Sequence, residues 1–289
     1  MVIKKYRRTR RTIRTRGTRR TGRKNMRTKR RIQTGGNNDK APNKRVAVIT
    51  AIYGGYDNLK EPTDVINRDS VDWFCFTEDT NMKSPIWKVN NTPYHTQNGK
   101  EEYKQYKNYY DNIKEDKVRN MMSAKYYKIK THEIDILKGY EYYIWVDGSL
   151  LLRPEFVNNI QKLIDKNYEL INFKHPERSN INDEMKLSIQ MEKYKNQDIP
   201  RQYEAYIKDG FPDDLGLFEC TMIIKKNVPR INEVFDLWWI NNLQYSYQDQ
   251  ISYTYCLWKK GVKPDYVINE HVFDNPNYSY SDRSLMMKH

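Results

Sequence analysis

The chain has 289 residues, and its 51 Lys and Arg against 37 Asp and Glu give a formal charge of +14. No apolar run approaches the roughly 20 residues that a membrane-spanning helix requires, which argues against a helical transmembrane segment. The three cysteines, Cys75, Cys220 and Cys256, lie far apart without metal-ligand spacing, so they read as reduced packing residues of a cytoplasmic chain.

The positive charge is concentrated at one end. Residues 1–45 hold 19 Lys or Arg and one acid, Asp39, whereas residues 46–289 carry a net charge of −4. The Arg-Thr repeats of the first segment, closed by Gly35-Gly36-Asn37-Asn38, hold too little apolar surface to offset the entropy of ordering them, so a disordered basic tail is expected. A tail of this density binds polyanions (RNA, DNA or an anionic surface) through counterion release, or serves as a tether or nuclear-targeting signal. Tyr6 is its only aromatic residue, so it lacks a base-stacking surface.

The remaining residues suit one large α/β domain. Val46 to Ile52 is a β-branched run ending at Gly54-Gly55, which predicts a first strand, and Asp72 to Thr77 predicts a second. A polar, Tyr-rich helical stretch is expected from Glu101, followed by a basic helix carrying Met121, Met122, Tyr126 and Ile129. Tyr142 to Val146 is apolar without a break, as in a strand buried on both faces, and it stops at Asp147-Gly148-Ser149. Pro154 opens a helix with Phe156, Ile160 and Ile164 on one face. A strand at Leu170 to Phe173, another at Leu217 to Ile224, a helix from Val228 to Leu243 and a last helix from Asp249 to Gly261 complete the pattern. Such alternation implies a mostly parallel sheet with helices on both faces.

Polar clusters fall at the ends of these elements. Asp147 stands where open α/β sheets bind ligands, with Ser149 as a second hard oxygen, although an Asp-Gly pair is also an ordinary turn. After the first strand, Tyr53 or Tyr56 suits stacking on a nucleobase and Asp57 suits a base or ribose hydroxyl, against the plainer reading of a glycine turn. Thr77 and Asp79 close the second strand on the same edge if the two strands are parallel. His175-Pro176-Glu177-Arg178, followed by Asp183 and Glu184, offers Arg178 to a phosphate or is a loop whose charges pair internally. In Gln248-Asp249-Gln250, Asp249 is a helix-start acid and also a candidate base. Glu219 interrupts a buried strand, where a carboxylate must be paired, protonated or employed.

Taken in order, Ile49 to Asp57, Trp73 to Asp79, Ile144 to Ser149, His175 to Arg178 with Asp183-Glu184, Gly216 to Glu219 and Gln248 to Gln250 form a pattern. The chain resembles, over residues 46–267, the glycosyltransferase-like family that includes plant mucilage-related and turgor-regulation proteins. That family is similar to the GT-A nucleotide-sugar transferases. The resemblance implies a GT-A-like domain over residues 46–289, a nucleotide-sugar donor and a hydroxyl acceptor such as a glycan or protein-linked glycan. It also implies Mn²⁺ or Mg²⁺ at an Asp-x-Asp motif, whose first Asp is matched by Asp147 and whose second is replaced by Ser149.

In that chemistry the leaving nucleoside diphosphate gains negative charge, so cations on its phosphates stabilise the transition state. On this reading Lys125 contacts the diphosphate, His271 is a further metal ligand, and Tyr53, Tyr56, Asp57, Thr77, Asp79, His175, Arg178 and Gln250 line the donor site. Asp249 holds the donor sugar or acts as base, and Glu219 serves the acceptor side. Two other functions compete. One is nucleic-acid binding through the tail. The other is a lipid-amidase-type hydrolase, a role assigned to a plant relative, which five histidines without an H-x-x-x-H spacing suit poorly.

Overall fold

The computed structural model describes residues 45–92, 101–108 and 115–269, and the backbone alone of 278–280. The tail and His271 lie outside the described residues. The first strand is β1 (Val46–Ile52), buried along its whole length, and it is followed by β2 (Asp72–Thr77) and β3 (Lys88–Asn91). Helix α1 (Asp116–Ile129) leads into β4 (Tyr142–Val146), short strand β5 (Leu150–Leu152) and α2 (Phe156–Asp165). Then come β6 (Leu170–Lys174), α3 (Ile181–Ser188), α4 (Ile199–Lys208) and β7 (Phe218–Lys226). The last elements are α5 (Pro229–Gln244), α6 (Asp249–Lys259), β8 (Tyr266–Ile268) and β9 (Tyr278–Tyr280).

Seven strands form one sheet in the order β3-β2-β1-β4-β7-β6-β8. All neighbours run parallel except around β7, which is antiparallel to both β4 and β6. Two apolar layers explain the unbroken hydrophobic runs. Ala47, Ile49, Tyr143, Trp145 and Ile223 pack with residues of α1, α5 and α6 on one face. Val46, Val48, Tyr142, Ile144, Val146 and Met222 pack with Phe156, Ile160 and Ile164 of α2 on the other. A central strand therefore has no solvent side on which to place polar residues.

Some elements differ from the sequence reading. Of the helical stretch expected from Glu101, Glu101–Tyr103 is a 3-10 turn and residues 107–108 are helical, while residues 109–114 lie outside the described residues. Strand β3 is polar, and helices α3 and α4 fill a stretch between β6 and β7 to which the pattern assigns no structure. The three cysteines are buried and free, as expected. Among the described residues, no helix is long and apolar enough to cross a membrane.

The topology sets the site. Strands β1, β2, β4 and β6 run the same way, so their carboxyl ends share one edge. The reversal of β7 brings its amino end, with Phe218 and Glu219, to that edge as well.

Candidate functional site

Asp147 follows the last residue of β4. Its backbone N–H donates to Thr221 O at 2.9 Å, and its carbonyl accepts from Leu150 N at 3.1 Å. Residues 147–150 therefore form the tight turn that the Asp-Gly pair suggested, and the turn presents a carboxylate at the sheet edge. Asp147 Oδ1 accepts from the Trp145 indole at 2.6 Å and from Lys128 Nζ at 3.3 Å. No donor among the described residues reaches Oδ2, and the side chain is 33% exposed.

Lys125 and Lys128, three residues apart on α1, face the start of α6. Both donate to Asp249 Oδ2, Lys128 at 2.7 Å, while Asp249 Oδ1 is buried without a hydrogen-bond partner. Burial alone would raise the Asp249 carboxyl pKa, but the two ammoniums outweigh it and hold the group below the usual carboxylate range. Burial likewise opposes the charge on Lys128, yet Asp147 and Asp249 raise its pKa above the ordinary lysine value. For Lys125 burial wins, and its pKa is lowered. The ammonium assigned to the diphosphate thus rests on Asp249 in this structure. Asp249 is the first residue of α6, and the cap belongs to Gln248, whose side chain accepts from Gln250 N at 2.9 Å.

The β1 loop lies against the same turn. Gly54 and Gly55 both take positive φ, +68° and +61°, which glycine adopts without strain. Gly54 N donates to Glu78 Oε1 at 2.6 Å, tying the ends of β1 and β2 together. A Cβ on Gly148 would stand 3.1 Å from both Asp57 Cβ and Asp57 Oδ2, so glycine is what allows the Asp57 side chain to lie on the Asp147 turn. Asp57 has no hydrogen bond or ion pair among the described residues; burial first, and the Asp147 charge second, push its pKa up to about 6.

Of the two tyrosines offered to a base, Tyr53 is 2% exposed, stacked on Tyr127 and hydrogen-bonded to Thr92, so it presents no face to a ligand. Tyr56 is 62% exposed and is the one available. Thr77 is also buried, its hydroxyl accepting from Asp79 N at 3.1 Å, and Asp79 in turn caps Asn81 N. Those two shape the turn after β2.

His175, buried, and Arg178, partly buried, form an internally paired buttress and not an open phosphate site. His175 Nδ1 accepts from the backbone N–H of Glu177 and Arg178, at 3.2 and 3.1 Å. Arg178 Nε donates to Glu184 Oε2 at 2.5 Å, and Glu184 Oε1 accepts from Gln248 Nε2 at 2.5 Å. The His-Pro-Glu-Arg motif thus fixes the residue immediately before Asp249.

Glu219 is buried in β7 opposite Phe173. Directly paired residues share a face, and Phe173 belongs to the layer on α2, whereas Trp145 and Ile223 belong to the layer on α1. Glu219 therefore stands on the opposite side of the sheet from Lys128 and Asp249. The two carboxylates are not brought together.

Two residues at the site carry no sequence signal. Lys193 lies in a 3-10 turn, Glu192–Tyr194, whose carbonyl at Lys193 accepts from Tyr247 OH at 2.7 Å. Its pKa is lowered by burial and then by the neighbouring Lys125 charge. Tyr194 is buried beside it, its hydroxyl pKa raised by burial and by the charges of Asp249 and Glu184.

The donor set suits a hard divalent cation. Asp147 offers Oδ2, Ser149 sits two residues on, and the Gly148 cradle holds the Asp57 carboxylate against the same turn. Strand β9 pairs with β5, immediately after Ser149, so the chain that follows His271 returns to this turn. A second group, His132, Glu133 and Asp236, has metal-like spacing. Lys130 is bonded to both of its carboxylates and already supplies the positive charge there.

A family model for the TOD1/MUCI70 glycosyltransferase-like domain matches residues 15–282, and the chain belongs to that family. The match begins within the basic segment. A search of curated proteins finds no match to the chain.

Proposed function

We propose that the protein transfers a sugar from a nucleoside-diphosphate donor to a hydroxyl acceptor, with a divalent cation at Asp147. The observation that carries this reading is the convergence of Asp147, Asp57, Lys128, Lys125 and Asp249 at the carboxyl ends of β1 and β4. A cation bound there would neutralise charge on the departing diphosphate. Trp145 and Lys128 hold Asp147 Oδ1, which leaves the other oxygen oriented for that ion.

Within this reading Tyr56 stacks on the base, and Lys125, Lys128 and Lys193 supply positive potential to the phosphates. Asp249 holds the donor sugar. A carboxylate kept ionised by two ammoniums takes a proton poorly but accepts a hydroxyl hydrogen bond well, and Oδ1 faces no other donor. Glu219, on the other face of the sheet from Asp249, serves the acceptor side.

The test is a panel of nucleotide sugars screened for thermal stabilisation with and without Mn²⁺, followed by product detection with candidate glycans. Asp249→Asn should cut the transfer rate at least ~100-fold while nucleoside-diphosphate binding persists. No stabilisation by any nucleotide sugar, with or without metal, would overturn the proposal. Activity that survives Asp249→Asn and dies in Glu219→Gln at unchanged stability would exchange the two roles.

A further inference from the structure

We infer that Asp57, and not Ser149, supplies the second carboxylate-type ligand of the cation site, so that the metal is held between the β1 loop and the β4 turn. The inference rests on the glycosyltransferase reading and adds to it a residue that sequence reasoning places on the nucleoside. In the Asp-x-Asp arrangement both carboxylates come from one strand end. Here the second position is Ser149, a neutral hydroxyl and a weaker partner for a hard dication. A compensating carboxylate must come from elsewhere in space.

Three observations point to Asp57. Its Oδ2 would lie only 3.1 Å from a Cβ at Gly148, so it occupies the place beside the turn that a side chain at residue 148 would fill. It has no hydrogen-bond donor and no ion-pair partner among the described residues, whereas four neighbouring carboxylates at this edge are each held by one: Glu78 by Gly54 N, Asp79 by Asn81 N, Asp147 by Trp145 and Lys128, and Asp249 by Lys125 and Lys128. Finally, Lys128 and the indole both engage Asp147 through Oδ1, which leaves Oδ2 as the oxygen to share an ion with a neighbour. Two adjacent carboxylates with one uncompensated charge between them repel each other until a cation arrives.

The arrangement has a consequence for nucleotide binding. Asp57 follows Tyr56 directly, so metal binding would order the loop that carries the exposed ring. Base stacking and cation binding would then be thermodynamically linked, each strengthening the other by the same factor.

The experiment measures Mn²⁺ binding to the full chain by EPR or calorimetry, in wild type, Asp57→Asn and Ser149→Ala, without nucleotide. Asp57→Asn should weaken Mn²⁺ binding roughly tenfold or more, at least the scale of a lost outer-shell contact, and Ser149→Ala should weaken it less. Without metal, Asp57→Asn should unfold at the same urea concentration as wild type or a higher one, because it removes a repulsion; a structural carboxylate would shift the midpoint the other way. In the absence of metal, binding of a phosphate-free nucleoside should be unchanged. Wild-type Mn²⁺ affinity in Asp57→Asn would overturn the inference, as would a larger loss in Ser149→Ala. So would loss of nucleoside binding at full Mn²⁺ affinity, which would return Asp57 to the base or ribose. Absence of Mn²⁺ binding by the wild type would also sink it. The transferase reading is judged separately, by nucleotide-sugar stabilisation in EDTA.

Discussion

Gly54→Ala tests whether the β1 loop is set by backbone geometry and by its contact with α1. The residue sits at φ +68°, where an L side chain crowds its own carbonyl at a cost of about 1–2 kcal/mol. The new methyl would also stand 2.0 Å from Asn120 Nδ2, 2.6 Å from Cγ and 3.1 Å from Cβ. The two atoms closer than 3.0 Å belong to the Asn120 amide, so that side chain, the loop or α1 has to shift, which costs about 1–3 kcal/mol for overpacking. Together these predict a loss of roughly 2–5 kcal/mol. Urea unfolding followed by tryptophan fluorescence measures it directly. Asn120→Ala removes the two nearest atoms, so the double mutant should recover most of the clash and retain the strain, giving a coupling of about 1–3 kcal/mol. A Gly54→Ala protein within about 0.5 kcal/mol of wild type, or additive single mutants, would refute the argument.

Further outcomes follow from the same geometry. Lys225 is buried, donates to Ile129 O at 3.2 Å and stands 3.7 Å from the centre of the Phe235 ring; burial depresses its pKa well below the lysine value. Between its depressed folded pKa and the ordinary lysine value the unfolded chain binds more protons, so across that window this group makes stability rise with pH. Lys225→Met should remove that slope and stabilise the protein at pH 7 by about 1–4 kcal/mol, and a less stable variant with an unchanged pH profile would contradict the reasoning. Glu184→Ala removes the carboxylate shared by Arg178 Nε and Gln248 Nε2, while Arg178 keeps Glu177 and Gln248 keeps Ser188, and should cost about 1–3 kcal/mol in chemical denaturation, more than most surface ion pairs. Tyr56→Ala should leave the unfolding midpoint nearly unchanged and weaken nucleoside binding by about 1–3 kcal/mol, whereas Tyr53→Ala should mainly unfold the protein. Equal effects of the two tyrosines on binding would show that the loop rearranges.

Much of the scaffold was legible because buried parallel strands leave a strong mark. The apolar runs at Val46–Ile52 and Asp72–Thr77 correspond to β1 and β2, and the run before Asp147 is β4. Strand β3, Lys-Val-Asn-Asn, reads as loop because an edge strand pairs on one side only and needs no apolar alternation. At the site, the strand-end position of Asp147 and the helix-start position of Asp249 follow from pattern alone. Their link through Lys128 does not, since it joins residues 121 apart in the chain. Tyr53 and Tyr56 are indistinguishable by spacing, and only the packing of Tyr127 separates the buried ring from the exposed one. Lys193 is one lysine among many in a polar stretch, and only the Tyr247 contact places it beside Asp249.

The central place of β1 also bears on how the chain is made. One edge of β1 is covered early, because β2 and β3 follow it closely. The other pairs with β4, Val46 with Tyr142, about a hundred residues later. At ordinary synthesis rates of ~5–20 residues per second, the nascent chain carries an open strand edge for seconds before its partner emerges. That edge is Val-Ala-Val-Ile-Thr-Ala-Ile, β-branched, uncharged and free of proline, the kind of segment that pairs with a neighbour when it has none of its own. Fragments ending before β4 are thus poor units for expression. Refolding yield should depend on keeping chains apart until the carboxyl-terminal half has closed the sheet.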